Sequence, residues 1–156
     1  MSPATFAPGV HRVFVYGTLK RDLWNHKILR NGASKYVADV KTRRADFKMF
    51  LAEAGYPYLT MVELDGRIVH GELYEVNDQT LEMLDALEEI SSGLYSREEL
   101  ECVTVDEAAT PYDAYFFLAG PRIDVSNLSE IETYDKALHD ERYVPKDKPR
   151  IEVDRW

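Results

Sequence analysis

The feature that most constrains this chain is the Asp65-Gly66 pair, which joins two β-prone segments, residues 58–64 and 67–76. Asp-Gly suits a two-residue turn in which both central residues adopt positive φ, and between such segments it is the strongest short-range signal for a β-hairpin. The sequence therefore predicts a hairpin here and a fold that contains antiparallel strands.

Further β-prone segments cover residues 13–19, 35–42, 46–51, 95–105 and 112–118. A short helix is predicted over residues 24–29. A longer one, over residues 78–89, is capped by Asn77 or Asp78 and places Leu81, Leu84 and Leu87 toward the core. This order lacks the regular alternation of a doubly wound sheet. It predicts an α+β fold, a small mixed β-barrel flanked by short helices.

One globular domain suits a chain of 156 residues with 45% hydrophobic and 30% charged composition. The predicted boundaries are a flexible N-terminal tail over residues 1–11, the domain over 12–145, and a charged C-terminal tail over 146–156. Residues after Gly120 are polar, so we expect them to wrap the surface rather than form a second domain.

The net charge of the chain limits which partners it can bind. With 28 acidic and 19 basic residues the formal charge is −9, which repels nucleic acid and anionic membranes. Basic residues at 20–21 and 146–150 could hold a small anion, although such runs are more often solvated surface. A single cysteine, no secretion signal and no long apolar run favour a cytoplasmic protein. Oligomeric state is left open.

Several common chemistries lack their motifs. There is no G-x-S-x-G nucleophile elbow, phosphate loop or dinucleotide glycine fingerprint. The four histidines are dispersed, so no metal site is predicted. Cys102 lies in a predicted strand beside acidic residues that would raise its thiol pKa, which indicates a structural cysteine.

Glu88 is the candidate catalytic residue. At 100° per residue it projects roughly 20° from Leu81 and roughly 40° from Leu84, and so lies on the apolar stripe of its helix. Its neighbours Glu82, Asp85 and Glu89 project away and are predicted to face solvent. A carboxyl turned toward an apolar interior has its pKa raised toward the range useful for proton transfer. An acid at the stripe's edge can also simply bend out to water, so periodicity alone leaves both readings open.

Beyond these local signals, an ordered set of segments resembles the γ-glutamylamine cyclotransferases, a γ-glutamyl cyclotransferase-like or avirulence-induced-gene-like family. The hallmark is Y-G-T-L within V-F-V-Y-G-T-L-K-R at residues 13–21. The likeness continues through N-H at 25–26, L-R-N-G at 29–32, Y-P-Y-L at 56–59, G-R-I-V-H-G-E-L-Y-E-V at 66–76, L-D-A-L-E at 84–88, L-Y-S-R at 94–97, Y-D at 134–135 and R-Y-V-P at 142–145.

The resemblance implies a small mixed β-barrel, no metal or organic cofactor, and a small-molecule γ-glutamyl substrate. In the implied reaction the substrate's α-amino nitrogen attacks its own γ-carbonyl and releases 5-oxoproline and a free amine. The family's catalytic glutamate falls on Glu88. Its substrate-binding loop falls on Tyr16, Gly17, Thr18 and Leu19, called the cradle turn below.

Three departures from the family pattern affect substrate choice. Phe117 stands where related cyclotransferases commonly have a tyrosine, Glu89 stands where small residues are usual, and residues 121–132 do not match. The leading hypothesis is a cyclotransferase for γ-glutamyl amines such as γ-glutamyl-ε-lysine. The alternatives are a cyclotransferase for γ-glutamyl amino acids or other γ-glutamyl conjugates, and a non-catalytic domain that binds a small acidic metabolite.

Overall fold

A computed structural model describes residues 9–145, so the residues on either side, which include most of the predicted N-terminal tail and all of 146–156, lie outside it. The elements in chain order are β1 (Val10–Val15), α1 (His26–Asn31), β2 (Ser34–Thr42), β3 (Phe47–Leu51), β4 (Pro57–Met61), β5 (His70–Asn77), α2 (Asp78–Leu87), a 3₁₀ turn (Ile90–Ser92), β6 (Tyr95–Thr104), β7 (Pro111–Ala119), β8 (Ser129–Ile131) and α3 (Lys136–Arg142).

Five strands form a closed barrel in the order β1-β5-β2-β6-β7. Its strand pairs are antiparallel except for the closing pair, in which Val13 of β1 lies parallel to Tyr115 of β7. A second sheet has the order β4-β3-β8. The α+β prediction of a mixed barrel flanked by short helices is confirmed, and the second sheet is an addition to it.

The predicted hairpin around Asp65-Gly66 is wrong. β4 pairs with β3, whereas β5 already has β1 and β2 as neighbours and so has no edge to offer. The turn itself is present, with Asp65 at φ 60°. It leads to Arg67, whose backbone N–H donates to the carbonyl oxygen of Phe47 at 2.7 Å. Gly66 is required there, because a Cβ would lie 2.3 Å from the carbonyl oxygen of Ala45.

Strand β1 has both faces buried. Val13 and Val15 belong to one apolar cluster with Leu84 of α2, while Phe14 belongs to a second cluster with Leu73 of β5. A strand covered on both sides has a continuous apolar sequence rather than an alternating one. The strand ends at Val15 rather than at residue 19, so the cradle turn leaves the barrel as a loop.

Helix α2 begins where predicted, at Asp78, and ends two residues before the predicted end. The Asn77 side chain accepts a hydrogen bond from the Thr80 backbone N–H at 2.8 Å, which satisfies one of the open donors of the first turn. Leu81 and Leu84 are buried, and the helix ends at Leu87 with Glu88 as its C-cap.

The predicted solvent face of this helix is only partly correct. Glu82 is exposed, whereas Asp85 and Glu89 are half-buried. Asp85 pairs with Nη1 of Arg97 at 2.6 Å. The strand that follows α2 therefore covers part of the face that periodicity assigned to water.

Residues after Gly120 do more than wrap the surface. They supply β8 to the second sheet and bury Tyr134 fully and His139 to 6% exposure. Tyr134 and His139 lie in a polar segment of the sequence and were not predicted to be buried.

Cys102 matches its prediction as a structural cysteine. It is fully buried, and burial, followed by the charges of Asp113 and Glu101, raises its thiol pKa to about 12. No helix among residues 9–145 is long and apolar enough to cross a bilayer.

Candidate active site

The end of β1 and the end of α2 meet at one cavity. All four residues of the cradle turn line it, and so does Glu88. The structure thus brings together every site residue proposed from the sequence. Strand β1 supplies the cradle turn because the chain leaves the barrel at Tyr16, and α2 supplies Glu88 because the helix stops one residue earlier, at Leu87.

The cradle turn is held by its own backbone. The Lys20 N–H donates to the carbonyl oxygen of Gly17 at 3.0 Å, and the Asn25 N–H donates to that of Thr18, also at 3.0 Å. A Cβ on Gly17 would lie 2.7 Å from the ring of Pro57, which lines the same cavity. Gly17 therefore allows two walls of the cavity to approach closely, a role that a plain strand-ending turn would not require.

Tyrosines form much of the remaining wall. Tyr16 is buried, and its hydroxyl donates to the backbone oxygen of Phe117. The Tyr95 hydroxyl donates to the backbone oxygen of Pro57 at 2.6 Å. The hydroxyls of Tyr56 and Tyr58 are 3.2 Å apart. The Tyr16 and Tyr95 bonds fix ring positions by joining side chains to the backbone of other strands, and Tyr56, which also lines the cavity, is held by Tyr58.

Glu88 influences these rings electrostatically. Burial, with the charge of Glu88 as the second cause, raises the pKa of both Tyr16 and Tyr95 well above the usual phenol range. Burial also raises the pKa of Tyr58 to about 12. The three hydroxyls therefore remain protonated at neutral pH and act as neutral donors. Glu88 itself is half-buried beside these rings.

Several lining residues were not proposed as site residues from the sequence. They are Phe14, Val15, Asn25, Tyr56, Pro57, Leu87, Leu94, Tyr95, Phe117 and Tyr143. Many of them lie within the segments that carry the family resemblance, which is the one signal that could have found them. Phe117, noted as a departure from the family, is 3% exposed and lies in the wall, so a hydroxyl at this position would contact the cavity or its lining.

The described residues offer no metal centre. Across residues 9–145 there is no group of three or more His, Cys, Asp or Glu side chains placed to hold an ion. The side chains that surround Glu88 in the cavity are aromatic, aliphatic, amide and hydroxyl groups. This lining suits a small polar organic molecule with an apolar stem.

Comparison with known proteins identifies the family of this chain. A sequence model of the family described as gamma-glutamyl cyclotransferase, AIG2-like, matches residues 13–140. The human gamma-glutamylaminecyclotransferase is 36% identical over 100 residues, 62% of this chain and 65% of that protein. A gamma-L-glutamyl-butirosin B gamma-glutamyl cyclotransferase from Niallia circulans is 36% identical over 103 residues, 63% of this chain and 60% of that protein.

The fold comparison extends further along the chain. The crystal structure of an AIG2-like protein from Mus musculus matches with a TM-score of 0.77 and 27% identity, covering 90% of this chain and 99% of that one. The sequence matches span less than two thirds of the length of the curated relatives just named. The family model nevertheless covers most of the chain, and on that ground this protein belongs to the gamma-glutamyl cyclotransferase, AIG2-like family.

Proposed function

We propose that this protein is a γ-glutamyl cyclotransferase that acts on γ-glutamyl amines such as γ-glutamyl-ε-lysine. The observation that carries the proposal is the shared cavity, in which Glu88 and the cradle turn line one space. Membership of the family supports it. So do the names of two relatives, a gamma-glutamylaminecyclotransferase and a cyclotransferase for gamma-L-glutamyl-butirosin B.

The proposed reaction needs one group that both takes and returns a proton. The substrate's α-amino group arrives as an ammonium, and Glu88 removes one proton so that the nitrogen gains a free electron pair. That nitrogen attacks the γ-carbonyl carbon and closes a five-membered ring. The proton then passes from Glu88 to the leaving nitrogen, and the γ-amide bond breaks. The ring nitrogen still carries one surplus proton, which Glu88 removes and passes to the freed amine, so that 5-oxoproline and an ammonium separate. One carboxyl completes the cycle without a net gain or loss of protons.

The cradle turn is the proposed binding element for the γ-glutamyl group. Backbone N–H groups in a turn next to glycine can approach a small ligand closely, and they donate either to its carboxylate or to the oxygen that becomes negative during attack. The close approach of Gly17 and Pro57 supports this role, because it narrows the cavity at the point where a small head group would lie.

The aromatic wall suits the same chemistry. Tyr16 and Tyr95 are at most 6% exposed, so they exclude water from the side of Glu88 while their own hydroxyls are bound to backbone oxygens. Excluding water strengthens the electrostatic interaction between the carboxylate and an incoming ammonium. The wall thus supports a role for Glu88 in proton transfer.

A panel of γ-glutamyl compounds assayed for 5-oxoproline release tests the proposal. It should include γ-glutamyl-ε-lysine, a γ-glutamyl monoamine and γ-glutamyl amino acids, with an α-glutamyl isomer as the matched negative control. We expect release from the γ-glutamyl amines and none from the α-isomer, in which attack of the α-amino nitrogen on the amide carbonyl would have to close a three-membered ring. Preference for γ-glutamyl amino acids would favour the alternative cyclotransferase. Saturable binding without release from any compound would favour the binding domain.

A further inference from the structure

Asn25 joins two sides of the cavity through one side chain. Its Nδ2 donates to the Thr18 hydroxyl at 2.7 Å and to the Tyr143 hydroxyl at 3.1 Å. Thr18 belongs to the cradle turn, and Tyr143 follows α3, 118 residues after Asn25. All three residues line the cavity, and Asn25 and Thr18 are each 8% exposed. These three side chains are called the amide bridge below.

Helix α3 anchors the amide bridge from behind. The His139 Nε2 accepts a hydrogen bond from the Trp24 backbone N–H at 3.1 Å, which fixes the chain immediately before Asn25. The His139 ring also stacks on Tyr143, with centroids 4.7 Å apart and planes inclined by 15°. One buried imidazole therefore holds both the segment that carries Asn25 and the ring that Asn25 contacts.

We propose that Asn25 is a positioning residue of this active site, and that the amide bridge sets the distance between the cradle turn and the wall formed by Tyr143. The inference rests on the proposed function of the cavity and adds to it a residue that acts through Thr18. Asn25 combines two donor contacts on one rigid planar group, so loss of its amide removes both contacts at once. The turn is also held by the backbone bonds from Lys20 and Asn25, by the His26 Nδ1 contact with the Leu19 oxygen at 2.9 Å, and by the Tyr16 hydroxyl.

Burial explains why the amide bridge should control geometry rather than merely add stability. Once its buried partner is lost, the Thr18 hydroxyl must find another partner or admit water, and either change moves the cradle turn. Displacement of a binding group by about 1 Å can cost on the order of 10²-fold in rate. We therefore expect Asn25→Ala to lower kcat/KM for the best γ-glutamyl substrate by on the order of 10 to 100-fold.

Single-contact variants test the same claim without a large cavity. Thr18→Val and Tyr143→Phe each remove one hydroxyl of the amide bridge, and Tyr143→Phe keeps the ring against His139. Each should lower kcat/KM by on the order of fivefold, the value of one hydrogen bond. Added to Asn25→Ala, neither should cause a further loss, because the contact is already gone. Asn31→Ala, an exposed asparagine at the end of α1, is the matched control and should retain wild-type kcat/KM.

Hydrogen exchange provides a readout that does not depend on turnover. The Lys20 amide, bound to the Gly17 oxygen, reports on the cradle turn, and the Glu88 amide, bound to the Leu84 oxygen at 2.9 Å, reports on α2. In Asn25→Ala we expect exchange at Lys20 to be about tenfold faster than in the wild type, with exchange at Glu88 unchanged. Equal acceleration at both amides would indicate general destabilisation and overturn the proposal.

The two readouts separate the two claims. If wild-type protein releases no 5-oxoproline, the proposed function fails, and exchange at Lys20 still decides whether the amide bridge holds the cradle turn. If the wild type is active but Asn25→Ala retains kcat/KM within about twofold and normal exchange at Lys20, the positioning role is wrong while the proposed function stands.

Discussion

The hydroxyl of Tyr95 donates a 2.6 Å hydrogen bond to the backbone oxygen of Pro57. This contact joins the start of β6 in the barrel to the start of β4 in the second sheet, at a point where both residues line the cavity. The cavity wall is therefore a seam between the two sheets.

Tyr95→Phe should lower the free energy of unfolding while leaving the shape of the cavity unchanged. The ring stays, but the buried carbonyl oxygen of Pro57 loses its donor, which costs about 1–3 kcal/mol. Urea unfolding measures this cost. Tyr36→Phe is the control, because Tyr36 is 41% exposed and its hydroxyl contacts Asp39 at the surface. Equal stability of Tyr95→Phe and wild type would show that the seam does not depend on this bond.

Gly66→Ala should be strongly destabilising although Gly66 lies in an exposed turn. Its added Cβ would lie 2.3 Å from the Ala45 oxygen, so backbone must move, at a cost of about 1–3 kcal/mol or more. The control is Asp65→Asn, since Asn also tolerates the positive φ of that position, and a change within about 0.5 kcal/mol is expected. Thermal unfolding of both variants distinguishes them, and a harmless Gly66→Ala would contradict the close contact.

At this turn the sequence predicted the local conformation but not the strand pairing. The signal at Asp65-Gly66 is local and correctly indicates a turn, but the choice of strand partner is not local. β5 is placed between β1 and β2, so β4 pairs with β3 instead. By contrast, the cap at Asn77 and the spacing of Leu81 and Leu84 are wholly local signals, and α2 forms where they predicted it.

The residues of the candidate site also fall into those that the sequence could identify and those that it could not. Spacing marked Glu88 as a candidate, and the family resemblance supplied both its catalytic role and the cradle turn. Tyr143 and Asn25 meet across 118 residues, and no periodicity predicts such a contact. His139 sits in a polar segment whose composition indicates surface, yet contacts from Tyr134 and Trp24 make it internal.

Stability should depend on pH through His139. Burial lowers the His139 pKa below 6.5, with Asp140 opposing that shift and Lys136 adding to it. The neutral ring is also needed to accept the Trp24 N–H. Below about pH 6.5 the unfolded chain binds a proton that the native state does not, so the unfolded state gains stability. The contribution of His139 is therefore complete above about pH 6.5 and is lost as the pH falls toward the native pKa.

Urea unfolding of wild type and His139→Gln between about pH 7.5 and about pH 5 measures this linkage. The free energy of unfolding should fall more steeply with decreasing pH in the wild type than in the variant. Parallel pH dependences would assign the acid sensitivity to other groups.

The central claim is that Glu88 transfers protons in this cavity, and Glu88→Gln tests it. Gln keeps the shape of Glu but cannot exchange a proton, so kcat for 5-oxoproline release should fall by about 10² to 10⁴-fold, or roughly 3 to 5 kcal/mol. Loss of both proton transfers places the expected value at the upper end.

Glu82→Gln is the matched control, because Glu82 is exposed on the same helix, whereas the half-buried Glu89 is a less suitable one. The deciding measurement is kcat of the three proteins on one γ-glutamyl amine, with circular dichroism to verify folding. We expect near-wild-type turnover for Glu82→Gln and a loss of at least about 10²-fold for folded Glu88→Gln. Retention of more than about a tenth of wild-type turnover by Glu88→Gln would contradict the central claim.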